Sequence, residues 1–138
     1  QLLEGRQILA ANAGQTKGWV NHPATRMWRN NTFLLFSYLD SMKNELIERG
    51  IAWEKNWTAI VDIVRTVPVY NVPPPLWLSN QVTLDKIITS HRANLYFKDP
   101  DYYSDFKIDA DTFTANRDYF TCCDRCNYYW PTHLEPKC

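Results

Sequence analysis

The spacing of apolar side chains along the chain predicts α-helices and gives only weak strand signals. The best defined stripe lies between Thr32 and Gly50 and repeats at intervals of three and four residues, as one helix face does. Its members are Leu35, Leu39, Met42 and Leu46. Weaker patterns predict helices over 2–13, from 23 to 30, around 57–64, from 83 to 98 and from 100 to 106. We therefore expect an all-α fold of about five to six helices.

Chain length and turn residues indicate one compact domain. A chain of 138 residues can bury a sizeable core and is too short to divide comfortably into two domains. The proline-rich stretch 67–75, VPVYNVPPP, cannot continue a helix, and we interpret it as an extended strap. We expect a helical domain over 1–121, which continues upstream because the chain starts inside an amphipathic pattern, and an irregular tail over 122–138.

Charge is balanced over the whole chain but sorted along it. Fifteen Lys and Arg residues match fifteen Asp and Glu residues, so no global field draws the protein to nucleic acid or membrane. Residues 1–30 contain four basic residues against one acidic residue, Glu4, so any polyanion site must be local. No apolar run approaches the roughly 20 residues that cross a bilayer. Because all four cysteines lie within 122–138, we expect a reducing compartment and a cytoplasmic protein.

Two polar clusters interrupt the apolar patterns. The first is 17–29, KGWVNHPATRMWR, and the second is 90–100, SHRANLYFKDP. Arginine and lysine hold phosphates through charge-assisted hydrogen bonds, and aromatic rings stack on unpaired bases, so both clusters favour nucleic-acid binding. The alternative is an ordinary helix surface with solvated arginines, core tryptophans and a hydrogen-bonded histidine. The chain carries no P-loop, dinucleotide-binding glycine motif or Ser-His-Asp order.

The helix that contains the second cluster is expected to begin with Thr83 as its cap. Its predicted buried face consists of Leu84, Ile87, Ile88, His91 and Leu95. His91 is therefore expected on the packed side, next to polar residues at the end of the helix.

The tail contains residues with the spacing of a structural zinc site. Two residues separate Cys123 from Cys126, and His133 and Cys138 follow, which gives a Cys-Cys-His-Cys set close to a zinc knuckle. Such a site would organise a segment that lacks a core of its own. Cys122 is an alternative ligand in a shifted register, and four free thiols are a second interpretation.

The two clusters and the late motif YYWP, 128–131, together resemble the pyrimidine-dimer DNA glycosylases of the endonuclease V type, in a divergent phage and bacterial branch. The segment 37–51, SYLDSMKNELIERGI, also fits, and the cysteine tail lies outside the resemblance. The resemblance implies a small helical protein that kinks duplex DNA, flips a nucleotide out and cleaves the glycosidic bond through a Schiff base on an N-terminal amine. Strand cleavage by β-elimination follows. The implied partner is damaged double-stranded DNA, and no catalytic cofactor is implied.

By this resemblance Arg6 occupies a DNA-binding position on the first helix and Gln7 the position of an essential glutamate. Glutamine cannot accept a proton as a carboxylate does, so either Glu4, one turn earlier, substitutes or cleavage is altered or lost. The reactive amine is expected in residues upstream, with Lys17 as the nearest internal substitute. Either Trp28 or Trp19 is expected to stack on an extruded base. The residues predicted to line a DNA groove are Asn21, His22, Arg26, Trp28, Arg29, His91, Arg92, Asn94 and Lys98.

Two other functions are compatible with the same motifs. Gln7 and the cysteine tail both favour a non-catalytic binding protein, for instance a phage structural component that associates with other proteins in a virion. An enzyme that flips a different modified base is the second alternative. Stoichiometric association without lesion cleavage would identify the first, and product analysis on varied substrates the second.

Overall fold

The computed structural model describes residues 1–68, 73–121 and 127–131. Over these residues the protein is all-α, as predicted, with eight α-helices, one 3-10 helix and no strand. The α-helices are α1 (Leu2–Asn12), α2 (Pro23–Met27), α3 (Thr32–Glu48), α4 (Glu54–Thr66), α5 (Leu76–Ser79), α6 (Gln81–Lys98), α7 (Lys107–Ala115) and α8 (Arg117–Phe120), and the 3-10 helix is Ser104–Phe106.

The chain divides into two compact units, an N-terminal unit, Gln1–Pro75, and a C-terminal unit, Leu76–Cys138. The boundary expected between 121 and 122 stays a prediction, because most of the tail lies outside the described residues.

One apolar core between α1, α3 and α4 holds the N-terminal unit together. Its buried side chains are Leu2, Ile8, Leu9, Leu35, Leu39, Ile60 and Ile63. At the edge of this core Phe36 stacks on Trp57, with ring centroids 5.1 Å apart. Each fully buried Leu or Ile side chain contributes about 1.5–3 kcal/mol relative to exposure, so this core fixes α1 against its two neighbours.

The contact between α1 and α3 depends on a glycine. Gly5 is buried, and a Cβ atom at this position would collide with the Cδ2 atom of Leu39 and lie 3.0 Å from its Cδ1 atom. Leu39 is itself buried in the core, so it has little room to retreat. The close approach therefore sets the position of α1 and of Arg6 and Gln7, the next two residues along it.

Two glycines end helices as the sequence predicts. Gly14 and Gly50 have φ values of +72° and +63°, in the left-handed region that glycine adopts without a steric cost. After Gly50 the amide of Ile51 donates to the carbonyl of Leu46 at 2.9 Å, which closes α3. After Gly14 the chain reverses into the loop that leads to α2.

The C-terminal unit has its own core between α6, α7 and α8. It consists of Ala93, Ala110, Phe113 and Phe120, with Tyr96 packed against it. The buried residues of α6 are Ile87, Ser90, Ala93 and Asn94, whereas Ile88 is 36% exposed, so the predicted stripe is wrong in its rotation about the helix axis. The small side chains of Ser90 and Ala93 allow neighbouring elements to pack close to α6, and these contacts decide which face of α6 is buried.

The start of α6 also differs from the prediction. The side-chain oxygen of Asn80 accepts a hydrogen bond from the amide of Thr83 at 2.9 Å, so Asn80 is the cap and the helix begins at Gln81. Thr83 is therefore the third residue of the helix and not its cap.

Residues 99–120 contain more helix than the sequence pattern predicts. The carboxylate of Asp99 accepts from the amide of Tyr102 at 3.1 Å and forms the expected turn, but the helix predicted over 100–106 is only the 3-10 segment Ser104–Phe106. The two following helices, α7 and α8, bury Ala110, Phe113 and Phe120. Tertiary packing against α6 stabilises these short helices, whose own apolar pattern is weak.

Candidate nucleic-acid interface

A cleft of about 620 Å³ lies along α1 in the N-terminal unit. Arg6, Gln7 and Ala10 line it from α1, and side chains of α4 and of the loop after α1 form its other walls. The polar and aromatic residues contributed by those walls are Gln15, Thr16, Trp19, Asp62 and Thr66. The structure thus brings Arg6 and Gln7 together with Trp19, whereas the exposed Glu4 is not among the residues that line this cleft.

Hydrogen bonds hold the loop wall of the cleft against α4. The side-chain amide of Gln15 donates to the hydroxyl of Thr66 at 2.9 Å, and that hydroxyl donates to the carbonyl of Ile63 at 2.7 Å. Within the loop the amide of Gly18 donates to the hydroxyl of Thr16 at 3.1 Å. These bonds attach the loop to the helix on the far side of the cleft.

Trp19 has a strained backbone at the edge of the cleft. Its φ is +65°, a conformation that bulky side chains rarely adopt and that costs about 1–3 kcal/mol. The side chain is 39% exposed, and its ring lies 4.5 Å from the ring of His22. Strained residues of this kind concentrate at functional sites, and the exposed ring offers a flat surface for a base.

His22 and Arg26 are placed by the first turn of α2. The Nδ1 atom of His22 accepts a hydrogen bond from the amide of Ala24 at 3.2 Å, and Pro23 occupies the first helical position. The amide of Arg26 donates to the carbonyl of His22 at 3.1 Å, so the arginine follows one turn later. Both side chains are exposed, as is that of Asn21.

Arg6 and the basic residues of the first cluster form no ion pair with a described carboxylate. Elsewhere in the N-terminal unit, Arg49 pairs with Glu45 at 2.6 Å and Lys43 with Asp40 at 2.6 Å. Within the described part of the chain no ion pair involves Arg6, Lys17, Arg26 or Arg29. Unneutralised positive charge beside an exposed aromatic ring is suited to a phosphate backbone.

Trp28 has one face covered by a residue that the sequence analysis missed. Its ring stacks on Tyr38 of α3, with centroids 5.8 Å apart and an angle of 24°, and it packs against the N-terminal core. Burial raises the pKa of the Tyr38 hydroxyl, although half of the side chain remains exposed. Tyr38 is an aromatic residue directly before Leu39 of the α3 stripe, and this position is the sequence signal that could have identified it.

The second cluster, in the C-terminal unit, mainly makes internal contacts. The side-chain amide of Asn94 donates to the carbonyls of Ser90 and Asn127, and the amide of Tyr129 donates to the hydroxyl of Ser90 at 3.0 Å. The ring of His91 lies against Tyr128 and Trp130, with centroids 4.9 and 5.0 Å away. These side chains fasten residues 127–131 to α6.

The charged residues of the second cluster lie at its exposed edge. Arg92 approaches a carboxylate oxygen of Asp109 at 3.9 Å and lies over the ring of Phe106, and Lys98 is exposed. Because the two clusters belong to different units, the single DNA groove expected from both stays a prediction.

Stability is expected to fall as the pH is lowered below about 6.5. Burial lowers the pKa of His91 from its ordinary value of 6.5, while the bond from its Nδ1 atom to the carbonyl of Ile87 partly opposes this shift. As the pH falls, the unfolded chain takes up the His91 proton first. The contribution of neutral His91 to the unfolding free energy is therefore complete above pH 6.5 and is lost as the pH falls toward the folded pKa. Urea unfolding at several pH values measures the slope of unfolding free energy against pH, which His91→Gln should flatten and His22→Gln should leave unchanged. An unchanged slope in His91→Gln would contradict it.

The predicted zinc ligands Cys123, Cys126, His133 and Cys138, with the alternative Cys122, lie outside the described residues. Within the described residues no group of three or more His, Cys, Asp or Glu side chains is arranged to hold a metal ion. The zinc site stays a prediction.

None of the helices over the described residues is both long and apolar enough to cross a membrane. Comparison with curated proteins and with solved structures gave no significant match. A family model described as pyrimidine dimer DNA glycosylase matches residues 1–59, which include α1, α2 and α3 and the loop that closes the cleft. This match supports a glycosylase-like DNA repair function, and binding to DNA, at the level of the family. Over residues 1–59 the chain is thus similar to the pyrimidine dimer DNA glycosylase family, which confirms the predicted resemblance over the first cluster and the segment 37–51.

Proposed function

We propose that this protein binds duplex DNA that contains a pyrimidine dimer and cleaves it as a DNA glycosylase and AP lyase. The observation that carries the proposal is the cleft on α1, where Arg6, Gln7 and the strained Trp19 lie together within the segment that matches the family model. Unneutralised basic residues accompany this cleft along the same segment.

The charge of the first cluster supports the binding step. Exposed Arg26 and Arg29 are available for charge-assisted hydrogen bonds to phosphate oxygens, which position a duplex without reading its sequence. The net charge of zero means that binding depends on this local patch. Trp19 is the better stacking surface, because it is 39% exposed whereas Trp28 packs against the N-terminal core.

The bond-breaking step requires an amine that attacks C1′ of the damaged nucleotide. A C1′–N bond to the amine forms, the C1′–N bond to the base breaks, and the base leaves with the bonding electrons and takes up a proton. Ring opening then gives a Schiff base, and loss of a C2′ proton breaks the C3′–O bond. The family resemblance implies an N-terminal amine, and Lys17 is the internal alternative because it lies between the cleft-lining Thr16 and Trp19.

Gln7 can position a substrate in this cleft but cannot act as the base. Its amide donates and accepts hydrogen bonds, so it is suited to hold a sugar or base oxygen near Arg6. Proton transfer must come from another group.

Strand incision tests the proposal. The full-length protein is incubated with a duplex that carries one cyclobutane thymine dimer, with matched undamaged and abasic duplexes as controls. Cleavage at the dimer and at the abasic site, with the undamaged duplex intact, is the expected result. Binding without cleavage would contradict the enzymatic part and favour a non-catalytic relative, and cleavage at another modified base alone would contradict the dimer specificity.

We also propose, from ligand spacing alone, that the tail holds one structural zinc ion through Cys123, Cys126, His133 and Cys138. Metal analysis of the purified protein should find about one zinc per chain, and Cys126→Ser should lose it. Cys122→Ser is the matched control that keeps the four ligands. Protein without zinc would contradict the proposal.

A further inference from the structure

We propose that the first turn of α3 binds a phosphate group, which we assign to the DNA backbone, so that the assignment rests on the proposed function. The site is a second cavity of about 620 Å³ in the N-terminal unit. Among the described lining residues it shares only Thr66 with the cleft on α1. Its walls come from the end of α1, the first two turns of α3, and the end of α4 with the proline-rich chain after it.

Three backbone amides at the start of α3 have no hydrogen-bond partner among the described residues. They belong to Thr32, Phe33 and Leu34, all of which line the cavity. Asn31, in the cap position, does not accept from them, because its side-chain amide is turned to the carbonyl of Arg29 and donates to it at 3.1 Å. Free amides in the first turn of a helix, together with the positive end of its dipole, favour the binding of an anion.

The side chain of Thr32 indicates a ligand independently of these amides. Thr32 is only 8% exposed, and its hydroxyl makes no hydrogen bond within the part of the chain that the structure describes. Because Thr32 lines the cavity, the small part of its surface that stays accessible faces that space. A buried hydroxyl without a partner costs free energy in the folded protein, and a bound phosphate oxygen would accept its hydrogen bond.

The charges around the cavity suit an anion that belongs to DNA. None of the described lining residues carries a carboxylate, so no negative charge on the lining repels a phosphate. Arg29 is exposed, forms no ion pair with a described carboxylate and lies two residues before Asn31. A DNA strand that contacts the exposed arginines of the first cluster therefore meets the start of α3 next along the chain.

Hydrogen bonds hold the walls of the cavity in place without a ligand. The side-chain amide of Asn12, at the end of α1, donates to the carbonyl of Thr25 at 3.2 Å. The hydroxyl of Thr66, at the end of α4, donates to the carbonyl of Ile63 at 2.7 Å. A site that is formed before binding loses little affinity to the ordering of its residues.

Titration with inorganic phosphate tests the site directly. The full-length protein labelled with ¹⁵N is titrated with sodium phosphate, and with sodium chloride at the same ionic strength as the reference. We expect the amide resonances of Thr32, Phe33 and Leu34 to shift saturably with phosphate and not with chloride. A short undamaged duplex should shift the same three resonances.

Two variants should lose binding without losing stability. Thr32→Val removes only the hydroxyl and should weaken the affinity for phosphate and for the duplex about tenfold, as for a hydrogen bond to a charged group. The salt dependence of duplex binding should not change, because no cation is removed. Asn31→Asp places a carboxylate beside the site and should weaken both affinities at least as much. Neither variant should lower Tm, since the hydroxyl has no partner to lose and a carboxylate is favourable at the start of a helix.

Thr58→Val is the matched control. Thr58 is exposed on α4, and its hydroxyl donates to the carbonyl of Glu54 at 3.0 Å, outside the cavity lining. The absence of a saturable phosphate shift, or an equal loss of affinity in Thr58→Val and Thr32→Val, would overturn the site. Shifts with phosphate but not with the duplex would overturn its assignment to the DNA backbone. Failure of the wild type to incise the dimer duplex would overturn the proposed function alone, because neither titration requires cleavage.

Discussion

Replacement of Arg26 and Arg29 together by alanine is expected to weaken binding to duplex DNA about tenfold or more at moderate salt, because two phosphate contacts are lost. Neither arginine pairs with a described carboxylate, so the change removes positive charge without freeing a negative partner. The slope of log affinity against log salt concentration should shrink by about 0.9 for each lost contact. Fluorescence anisotropy of a labelled duplex over a salt series measures both quantities.

Arg49→Ala is the matched control for this pair. Arg49 is also exposed and in the N-terminal unit, but Glu45 neutralises it at 2.6 Å. Its loss is expected to leave both the affinity and the salt slope close to those of the wild type. If the double variant keeps the wild-type affinity and slope, or if Arg49→Ala lowers them equally, the first cluster is not the DNA-binding surface.

Replacement of Gly5 by valine is expected to cost about 3 kcal/mol of unfolding free energy, at the upper end of the penalty for overpacking a core. Even one Cβ atom collides with Leu39, and the two further methyl groups of valine have no space between α1 and α3. For a unit of this size the loss corresponds to a decrease of about 10 °C or more in Tm. Urea and thermal unfolding followed by circular dichroism measure the change.

Gly18→Ala controls for the loss of a glycine as such. A Cβ atom at Gly18 would meet only the hydroxyl of Thr16, at the ordinary contact distance of 3.5 Å. Its expected effect is within about 0.5 kcal/mol of zero, as for most surface substitutions. A Gly5→Val protein as stable as Gly18→Ala would contradict the close approach of α1 to α3.

The fold class could be predicted because the strongest signals are local. The stripe of α3 and the glycine stop at Gly50 depend on residues close together in sequence, and His22-Pro23 specifies the start of α2 through capping and a fixed φ. Arg6 and Gln7 could be proposed as site residues only through the family resemblance, whereas the basic residues after them could be proposed from the local composition of the first cluster.

The remaining features depend on contacts between distant segments. The orientation of α6 about its axis is set by the residues that pack on Ser90 and Ala93. The helices α7 and α8 form because Phe113 and Phe120 are buried in the C-terminal core. Asp62 joins the cleft only when α4 packs on α1. No local pattern in the sequence contains that information, which is why it was absent from the predicted site.

Borohydride trapping tests the central claim most directly. The full-length protein with its natural amino terminus is mixed with a duplex that carries one cyclobutane thymine dimer, beside abasic and undamaged duplexes, and any Schiff base is reduced to a stable bond. A covalent protein–DNA adduct that depends on the dimer, together with strand scission, is the result that we predict. No adduct on either the dimer or the abasic duplex would contradict the proposal that this cleft cleaves DNA.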